Sequence, residues 1–492
     1  MSASLPRFES LRHVHIIGVC GTLMGSFASF LKRSGIRVTG SDQNVYPPMS
    51  DVLARDGVEL LQGYQAEHIT PGGARPDLIV IGNVISSNNP EAMAAMASGI
   101  PCTSLPEAME LVMLPKTRNL VVAGTHGKTT TASLLAHVLR AVGKDPNWFI
   151  GGVSKDLPHS FQVSGLDAGR PFVLEGDEYD TAYWDKVPKF NHYLPDDVIL
   201  TSIEFDHADI YADLNAVVRA FEGLMTRIRS GGRLIACLDF ESVESVLRLA
   251  KVPVLTYSSR SQGRSTGARF WIENFRSDQG KVHFDIIDRG EKVEALELQV
   301  PGRHNASNAL AVWIECRELG IPSDQIRKAI AQFQGVKRRQ EERGEVAGVL
   351  VIDDFAHHPT AVRETLQALK AKYSDRRVVA VFEPRSATSR RKVFQKDYSE
   401  AFGVADQTFI CKPYDQSKIS AEEQFSSDQL VRDIQLLGHS AHLMENPEAG
   451  VLQVAQSARA GDLIAVLSNG GFGGFIPKLL DELKKGLERQ GV

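Results

Sequence analysis

Short unbroken apolar runs recur along the chain, and most stop at a glycine or an acid just before a stretch of helical spacing. Runs of this kind read as parallel strands buried on both faces, each followed by a crossover helix. His13–Val19, Ile36–Thr39 and Asp77–Ile81 form one group. Val121–Ala123, Phe172–Leu174 and Val198–Ile203 form a second. Val349–Ile352, Arg377–Phe382, Gln407–Cys411 and Leu463–Leu467 form a third. One stretch breaks the pattern. From Trp271 to Val300 apolar and polar residues alternate, which predicts an antiparallel flap on the central segment.

The chain has 492 residues, too many for one hydrophobic core. The grouping predicts an α/β protein of three domains. These are a Rossmann-like N-terminal domain over 1–112, a central P-loop ATPase-like domain with a mostly parallel sheet over 113–334, and a C-terminal Rossmann-like domain over 335–492. A net charge of −5 argues against a nucleic-acid-coating protein. No apolar run approaches the ~20 residues that span a bilayer, and Met1–Arg12 has no signal-peptide core, so no membrane partner is expected. The five cysteines are scattered, without CxxC or metal spacing, which predicts a reduced, cytoplasmic setting. Oligomeric state is not legible.

The densest chemistry lies in Val121-Val122-Ala123-Gly124-Thr125-His126-Gly127-Lys128-Thr129-Thr130-Thr131. A strand runs into two glycines, a lysine and threonines, and then a helix begins. Glycines let backbone N–H groups approach phosphate oxygens, and the helix start adds unpaired donors and partial positive charge. Lys128 would reach the terminal phosphates of ATP and Thr129 would ligate Mg²⁺. The strict motif wants a glycine where Val122 stands, so the loop is a shortened variant. The plainer reading is a glycine-rich turn before an ordinary helix, but that leaves the lysine and threonines without a purpose.

Two later strands end in acids: Glu175-Gly176-Asp177-Glu178-Tyr179-Asp180, and Glu204-Phe205-Asp206-His207-Ala208-Asp209. Such density repels itself unless a cation is present, and Mg²⁺ takes hard oxygen ligands in such places. In open α/β sheets ligands gather at the carboxyl ends of strands, so the loop, Glu175 and His207 are expected on one rim. In the first segment, Gly18, Gly21 and Gly25 precede Asp42 in a strand–loop–helix–strand–acid order that suits a nucleotide diphosphate. The spacing is not G-x-G-x-x-G. A dehydrogenase is therefore a weak reading, and it leaves Lys128 unexplained. Asp42 could equally cap a turn. A nucleotide-gated, non-catalytic binding protein would keep the loop but show no substrate-dependent phosphate release. Asn305 and Asn308 share one helix face and could read a base edge or simply cap the helix.

G-T-x-G-K-T after an apolar strand resembles the Mur ligases, which join amino acids or peptides to UDP-N-acetylmuramic acid. The family stretches E-A-D-E-x-D and N-x-E-x-D-H-x-D are matched at Glu175–Asp180 and Ser202–Asp209, and H-N-x-x-N-A-x-A at His304–Ala311. The resemblance implies ATP binding by Gly124, Thr125, His126, Gly127, Lys128, Thr129, Thr130, His304, Asn305, Asn308, Arg339, Asp354 and His357. It implies Mg²⁺ on Thr129, Glu175 and His207, with Lys128, Glu175 and His207 catalytic. It further implies UDP-sugar binding by Gly18, Gly21, Thr22, Asp42 and Ser86. Some members carry a carbamylated lysine after the histidine. Here Val217–Glu222 has none, so either a carboxylate such as Glu222 substitutes or the device is absent.

Asp353-Asp354-Phe355-Ala356-His357-His358-Pro359-Thr360 resembles a stretch shared by the peptide-adding and alanine-adding branches, whereas Phe382-Glu383-Pro384-Arg385-Ser386 is similar to the peptide-adding branch alone, since members that add free L-alanine typically show F-Q-P-H-R there. Arg385, Lys412 and Tyr414 are then candidates for gripping a peptide. The implied reaction is ATP-dependent joining of L-alanyl-γ-D-glutamyl-meso-diaminopimelate to UDP-N-acetylmuramic acid through an acyl phosphate, in cell-wall recycling. The alternative is ligation of free L-alanine.

Overall fold

The computed structural model describes residues 5–45, 49–261, 267–278 and 280–489. It has two compact units. The first holds the residues up to Ile203 with Val218–Tyr257 and Ala311–Ile326, and the second holds Glu204–Val217, Ser258–Leu310 and the chain from Arg327.

The first unit opens with five parallel strands, β1 (His13–Ile17), β2 (Arg37–Asp42), β3 (Glu59–Gln62), β4 (Leu78–Ile81) and β5 (Cys102–Ser104), in the order β3-β2-β1-β4-β5. The order reverses at β1, and a ligand crevice is expected where it does. Every residue of β1 and β4 is buried, as their unbroken apolar sequences predict. β1 is shorter than the sequence suggests. It stops at Ile17 because Gly18, at φ +86°, turns the chain toward the helix Thr22–Arg33. Gly40 in β2 is needed for close packing, since a Cβ there would sit 2.7 Å from the Val19 Cβ.

The same unit carries β6 (Arg118–Ala123), β7 (Asn147–Phe149), β8 (Phe161–Gln162), β9 (Pro171–Gly176), β10 (Asp197–Leu200), β11 (Arg233–Cys237) and β12 (Val254–Ser258). Their order is β12-β11-β10-β6-β9-β7-β8, parallel except for the β7–β8 pair. Val122 lies opposite Glu175, and Ala123 opposite both Gly176 and Leu200. The chain after Ala123 therefore leaves the sheet between the ends of β9 and β10.

The second unit contains the expected antiparallel flap, formed by β13 (Phe270–Asp278), β14 (Lys281–Asp288) and β15 (Glu291–Leu298). It also holds a mixed sheet of β16 (Glu341–Val346), β17 (Val349–Asp354), β18 (Arg377–Phe382), β19 (Gln407–Cys411), β20 (Ser440–Met444) and β21 (Asp462–Leu467). The order is β16-β17-β21-β18-β19-β20, with only β16 antiparallel. Alternate residues of β17 feed two cores. Leu350 and Ile352 face Val362, Leu366 and Tyr398, whereas Val349 and Val351 face Phe475 and Leu479. The period-two pattern of strands thus splits one apolar run between two helical layers. The α/β class, the parallel N-terminal sheet and the mostly parallel central sheet are as expected; the C-terminal sheet is parallel as expected except for the added antiparallel edge strand β16.

No helix among the described residues is long and apolar enough to cross a membrane.

Candidate active site

In the first unit the loop after β6 is shaped by two glycines at positive φ. Gly124 sits at φ +135°, where a Cβ would meet the Thr201 Oγ1 at 2.2 Å and the Ser202 N at 2.8 Å. Gly127, at φ +80°, caps the helix Lys128–Ala141 without any side-chain acceptor, which leaves the first-turn N–H groups to an anion. The end of β10 clasps the loop from the other side. Thr125 N donates to the Ser202 carbonyl at 3.0 Å, His126 N to the Ser202 Oγ at 2.9 Å, and Thr201 Oγ1 to the His126 carbonyl at 2.5 Å. We expect Gly124→Ala to cost about 2–3 kcal/mol of stability from forced backbone and steric strain. Chemical denaturation of the purified variant measures it.

Lys128 turns back over this loop. Its Nζ donates to the Gly124 carbonyl at 2.7 Å and to the Thr125 carbonyl at 3.2 Å, and it pairs with the Glu178 Oε2 at 2.7 Å. Burial opposes the ammonium form, yet the charges of Glu178 and Asp177, the Glu178 hydrogen bond and the charge of Glu175 outweigh it, so the Lys128 pKa rises. Thr129 Oγ1 donates to the Glu175 Oε1 at 2.6 Å, and the Gly151 N–H donates to the Oε2 at 2.6 Å. Burial pushes the Glu175 carboxyl above its ordinary value, against those two bonds and the Lys128 charge. A hydroxyl and a carboxylate meeting beside a lysine are hard-oxygen donors of the kind Mg²⁺ takes. Asp177, in the same acidic stretch, pairs with Lys189 at 2.5 Å.

In the N-terminal sheet, Gly18 N and Val19 N both donate to the Ser41 carbonyl, at 2.8 and 3.0 Å, and Cys20 N donates to the Asp42 Oδ2 at 2.9 Å. Gly21 caps the helix that Thr22 opens, with no side-chain acceptor. Asp42 thus holds the loop. Ser86 Oγ donates to the Asn88 Oδ1 at 2.5 Å in the loop after β4.

The second unit gathers a separate set. Asp354 is 3% exposed and accepts from Gln340 N and Ala356 N, both at 2.7 Å. Burial raises its pKa, against the Arg339 charge and those two bonds. The Arg339 guanidinium lies 5.0 Å from the Phe355 ring centroid, with Arg338 at 5.3 Å. His304 Nε2 is 3.4 Å from the Gln340 Nε2. Asn305 and Asn308 are buried, and one amide N–H of each is bonded locally. Asn305 Nδ2 donates to the Pro301 carbonyl at 2.7 Å, and Asn308 Nδ2 reaches the Asn305 Oδ1 at 3.4 Å.

His207 belongs to this unit and is held at φ +54°, a strained setting for a histidine. Its neighbour Asp206 is 5% exposed and accepts from the Thr388 Oγ1 at 2.6 Å, and Thr388 Oγ1 accepts in turn from Ala208 N at 3.1 Å. His357 Nε2 stands 3.7 Å from the other Asp206 oxygen, and its Nδ1 donates to the Phe355 carbonyl at 3.0 Å. Burial would raise Asp206, but the His357 hydrogen bond and the charges of His357, His207 and His358 hold it well below the usual carboxylate range. Sequence reasoning missed Thr388, because nothing local marks a threonine 182 residues from its partner.

Arg385 packs over the Tyr414 ring at 3.9 Å and reaches the Glu383 Oε1 at 3.3 Å. A Cβ on Gly470 would sit 2.0 Å from the Arg385 Nε, so the arginine lies flat against that glycine. Tyr414 is 62% exposed. Lys412 is not part of this group; it pairs with Glu445 at the surface.

These arrangements define a nucleotide-dependent α/β ligase, and comparison with known proteins supplies the family. Residues 13–117 match the Mur ligase family catalytic domain, 122–315 the Mur ligase middle domain and 338–470 the Mur ligase glutamate ligase domain. The chain belongs to the Mur ligase family and is an ATP-dependent amide-forming ligase. It is 38% identical to the UDP-N-acetylmuramate–L-alanyl-γ-D-glutamyl-meso-2,6-diaminoheptandioate ligase of Escherichia coli, covering 96% of this chain and 99% of the relative. A crystal structure of a murein peptide ligase from Psychrobacter arcticus is similar at TM-score 0.67 and 32% identity, covering 96% of this chain and 99% of that one. The UDP-N-acetylmuramate–L-alanine ligase of Desulfosudis oleivorans is 32% identical over 93% of this chain and 95% of its own.

Proposed function

We propose that this protein joins the tripeptide L-alanyl-γ-D-glutamyl-meso-diaminopimelate to UDP-N-acetylmuramic acid at the expense of ATP. The observation that carries the choice of acceptor is the full-length likeness to the tripeptide-adding ligase of Escherichia coli, at 38% identity against 32% for an alanine-adding relative. The sequence Phe382-Glu383-Pro384-Arg385-Ser386 agrees with that choice.

A carboxylate does not acylate an amine at neutral pH, so the lactyl carboxylate first attacks the γ-phosphorus of ATP and displaces ADP. The tripeptide amine then attacks the acyl carbon of the acyl phosphate, and inorganic phosphate and the amine proton leave as the amide forms. The first step brings two anions together. Lys128 and the N–H groups at the start of its helix neutralise that charge. Thr129 and Glu175, joined at 2.6 Å, would hold Mg²⁺, with His207 as a further ligand; the ion supplies charge neutralisation at the transferred phosphoryl oxygens. Arg339, Asp354, His304, Asn305 and Asn308 are assigned to the nucleoside of ATP, and His357 to the phosphate or incoming amine. Gly18, Gly21, Thr22, Asp42 and Ser86 are assigned to the UDP-sugar. Arg385 over Tyr414 presents a guanidinium to a peptide carboxylate. Domain borders are placed at residues 112 and 334. None of the five cysteines forms a disulfide, which agrees with a reducing cytoplasmic setting.

A phosphate-release assay with UDP-N-acetylmuramic acid and ATP decides the acceptor. Tripeptide should support kcat/KM at least about a hundredfold above that for free L-alanine, the discrimination a site built for extra polar groups provides. Faster turnover of alanine would reassign the chain to the alanine-adding branch.

A further inference from the structure

Glu91 is a carboxylate with no solvent exposure, on the second residue of the helix Pro90–Ala97. Its Oε1 accepts from the His15 Nε2 at 2.7 Å and from the Ser41 Oγ at 2.8 Å. His15, also fully buried, continues through its Nδ1 to the Thr39 Oγ1 at 2.8 Å. The other Glu91 oxygen makes no hydrogen bond, with the likewise unbonded His68 Nδ1 at 3.6 Å. A carboxylate under a sheet is costly, and apolar residues of the same volume would stabilise this layer better. What the group does gain is control of Ser41. That residue is held through its hydroxyl by Glu91, and its carbonyl takes both Gly18 N and Val19 N. The next side chain, Asp42, takes Cys20 N. Two of three successive loop N–H groups are thereby fixed by the carbonyl of a residue that Glu91 holds from beneath, and the third by the residue next to it.

We infer that Glu91, acting through Ser41 and braced by His15, is a positioning residue that presets the Gly18–Gly21 loop for the diphosphate of the UDP-sugar. This rests on the reading of that loop as the UDP-sugar site. Glu91 touches no substrate. It spares the loop an ordering cost on binding, so its contribution shows in affinity for one substrate and not in the chemical step.

The test uses the full-length enzyme, with calorimetric titration of UDP-N-acetylmuramic acid in the absence of ATP, and steady-state kinetics for all three substrates. Ser41→Ala removes only the linking hydroxyl, and Glu91→Gln removes the charge while keeping the shape. Each should weaken UDP-N-acetylmuramic acid binding by about fivefold to tenfold, the effect of one lost or weakened buried hydrogen bond. kcat and the KM values for ATP and tripeptide should stay within about twofold, because no other site is touched. Unchanged UDP-sugar affinity alongside a lowered Tm would make the network purely architectural and overturn the inference. If Glu91→Gln fails to fold, Ser41→Ala alone decides. Gly18→Val, strained at φ +86°, is the control on the underlying reading. If it too leaves the affinity unchanged, the loop is not the UDP-sugar site and both fall. If it weakens binding while the other two variants do not, only the positioning role falls.

Discussion

Lys128→Met is expected to lower kcat by about 10³-fold or more, on the order of 4 kcal/mol of transition-state stabilisation. The protein should remain folded. In the structure the ammonium is paired with Glu178 and bonded to the Gly124 and Thr125 carbonyls, so it is already placed over the loop before any phosphate arrives. Methionine keeps the unbranched shape up to the ε carbon and removes the charged amine. Glu178, 1% exposed, then loses this ion pair. That loss should appear as a modest fall in Tm, which separates the architectural share of the ion pair from its catalytic share. Single-turnover measurement of acyl-phosphate formation is the direct readout. A near-normal rate there would remove Lys128 from the phosphoryl-transfer step.

Glu175→Gln is expected to reduce kcat by about 10²-fold to 10³-fold, since one hard charged donor is exchanged for a neutral amide at the site assigned to the cation. Stability should move the other way. Burial raises the Glu175 pKa, so the folded state holds that proton more tightly than the unfolded chain does. Above the raised value the ionised carboxylate therefore costs folding free energy, and the cost disappears as the pH falls. Glutamine lacks the charge but can still bond Thr129 and the Gly151 N–H. Its Tm at neutral pH should equal or exceed that of the parent. Inactivity accompanied by a large drop in Tm would mean that Glu175 serves architecture and not the cation. Restored activity at higher Mg²⁺ would place the defect in ion affinity.

The parallel strands were legible because burial on both faces leaves no polar position to confuse the pattern; β1, β4 and β17 are buried throughout. The phosphate loop was legible because its glycines, lysine and threonines are consecutive. The edge strands were not. β16 reads Glu-Glu-Arg-Gly-Glu-Val and bulges between Glu342 and Gly344, so its charges look like a solvated run, which is how an edge strand protects itself from pairing. Contacts between distant segments were also out of reach. Neither Asp206 with Thr388 nor Glu91 with His15 has any local signature. The asparagines at 305 and 308 share one helix face, as their spacing predicts, but the bonds of one amide N–H of each, to the Pro301 carbonyl and the Asn305 Oδ1, were not legible.

The contact between Arg385 and Gly470 has a consequence for anyone altering the acceptor. With a Cβ on residue 470 only 2.0 Å from the Arg385 Nε, no side chain enters that position while the arginine keeps its place over Tyr414. The two loci are therefore locked to one another in mutational space. A library that randomises Gly470 alone will return clones in which the arginine is displaced. On the proposed assignment of Arg385 to the peptide, retailoring toward smaller amines calls for paired replacements drawn together, beginning with a shorter residue at 385.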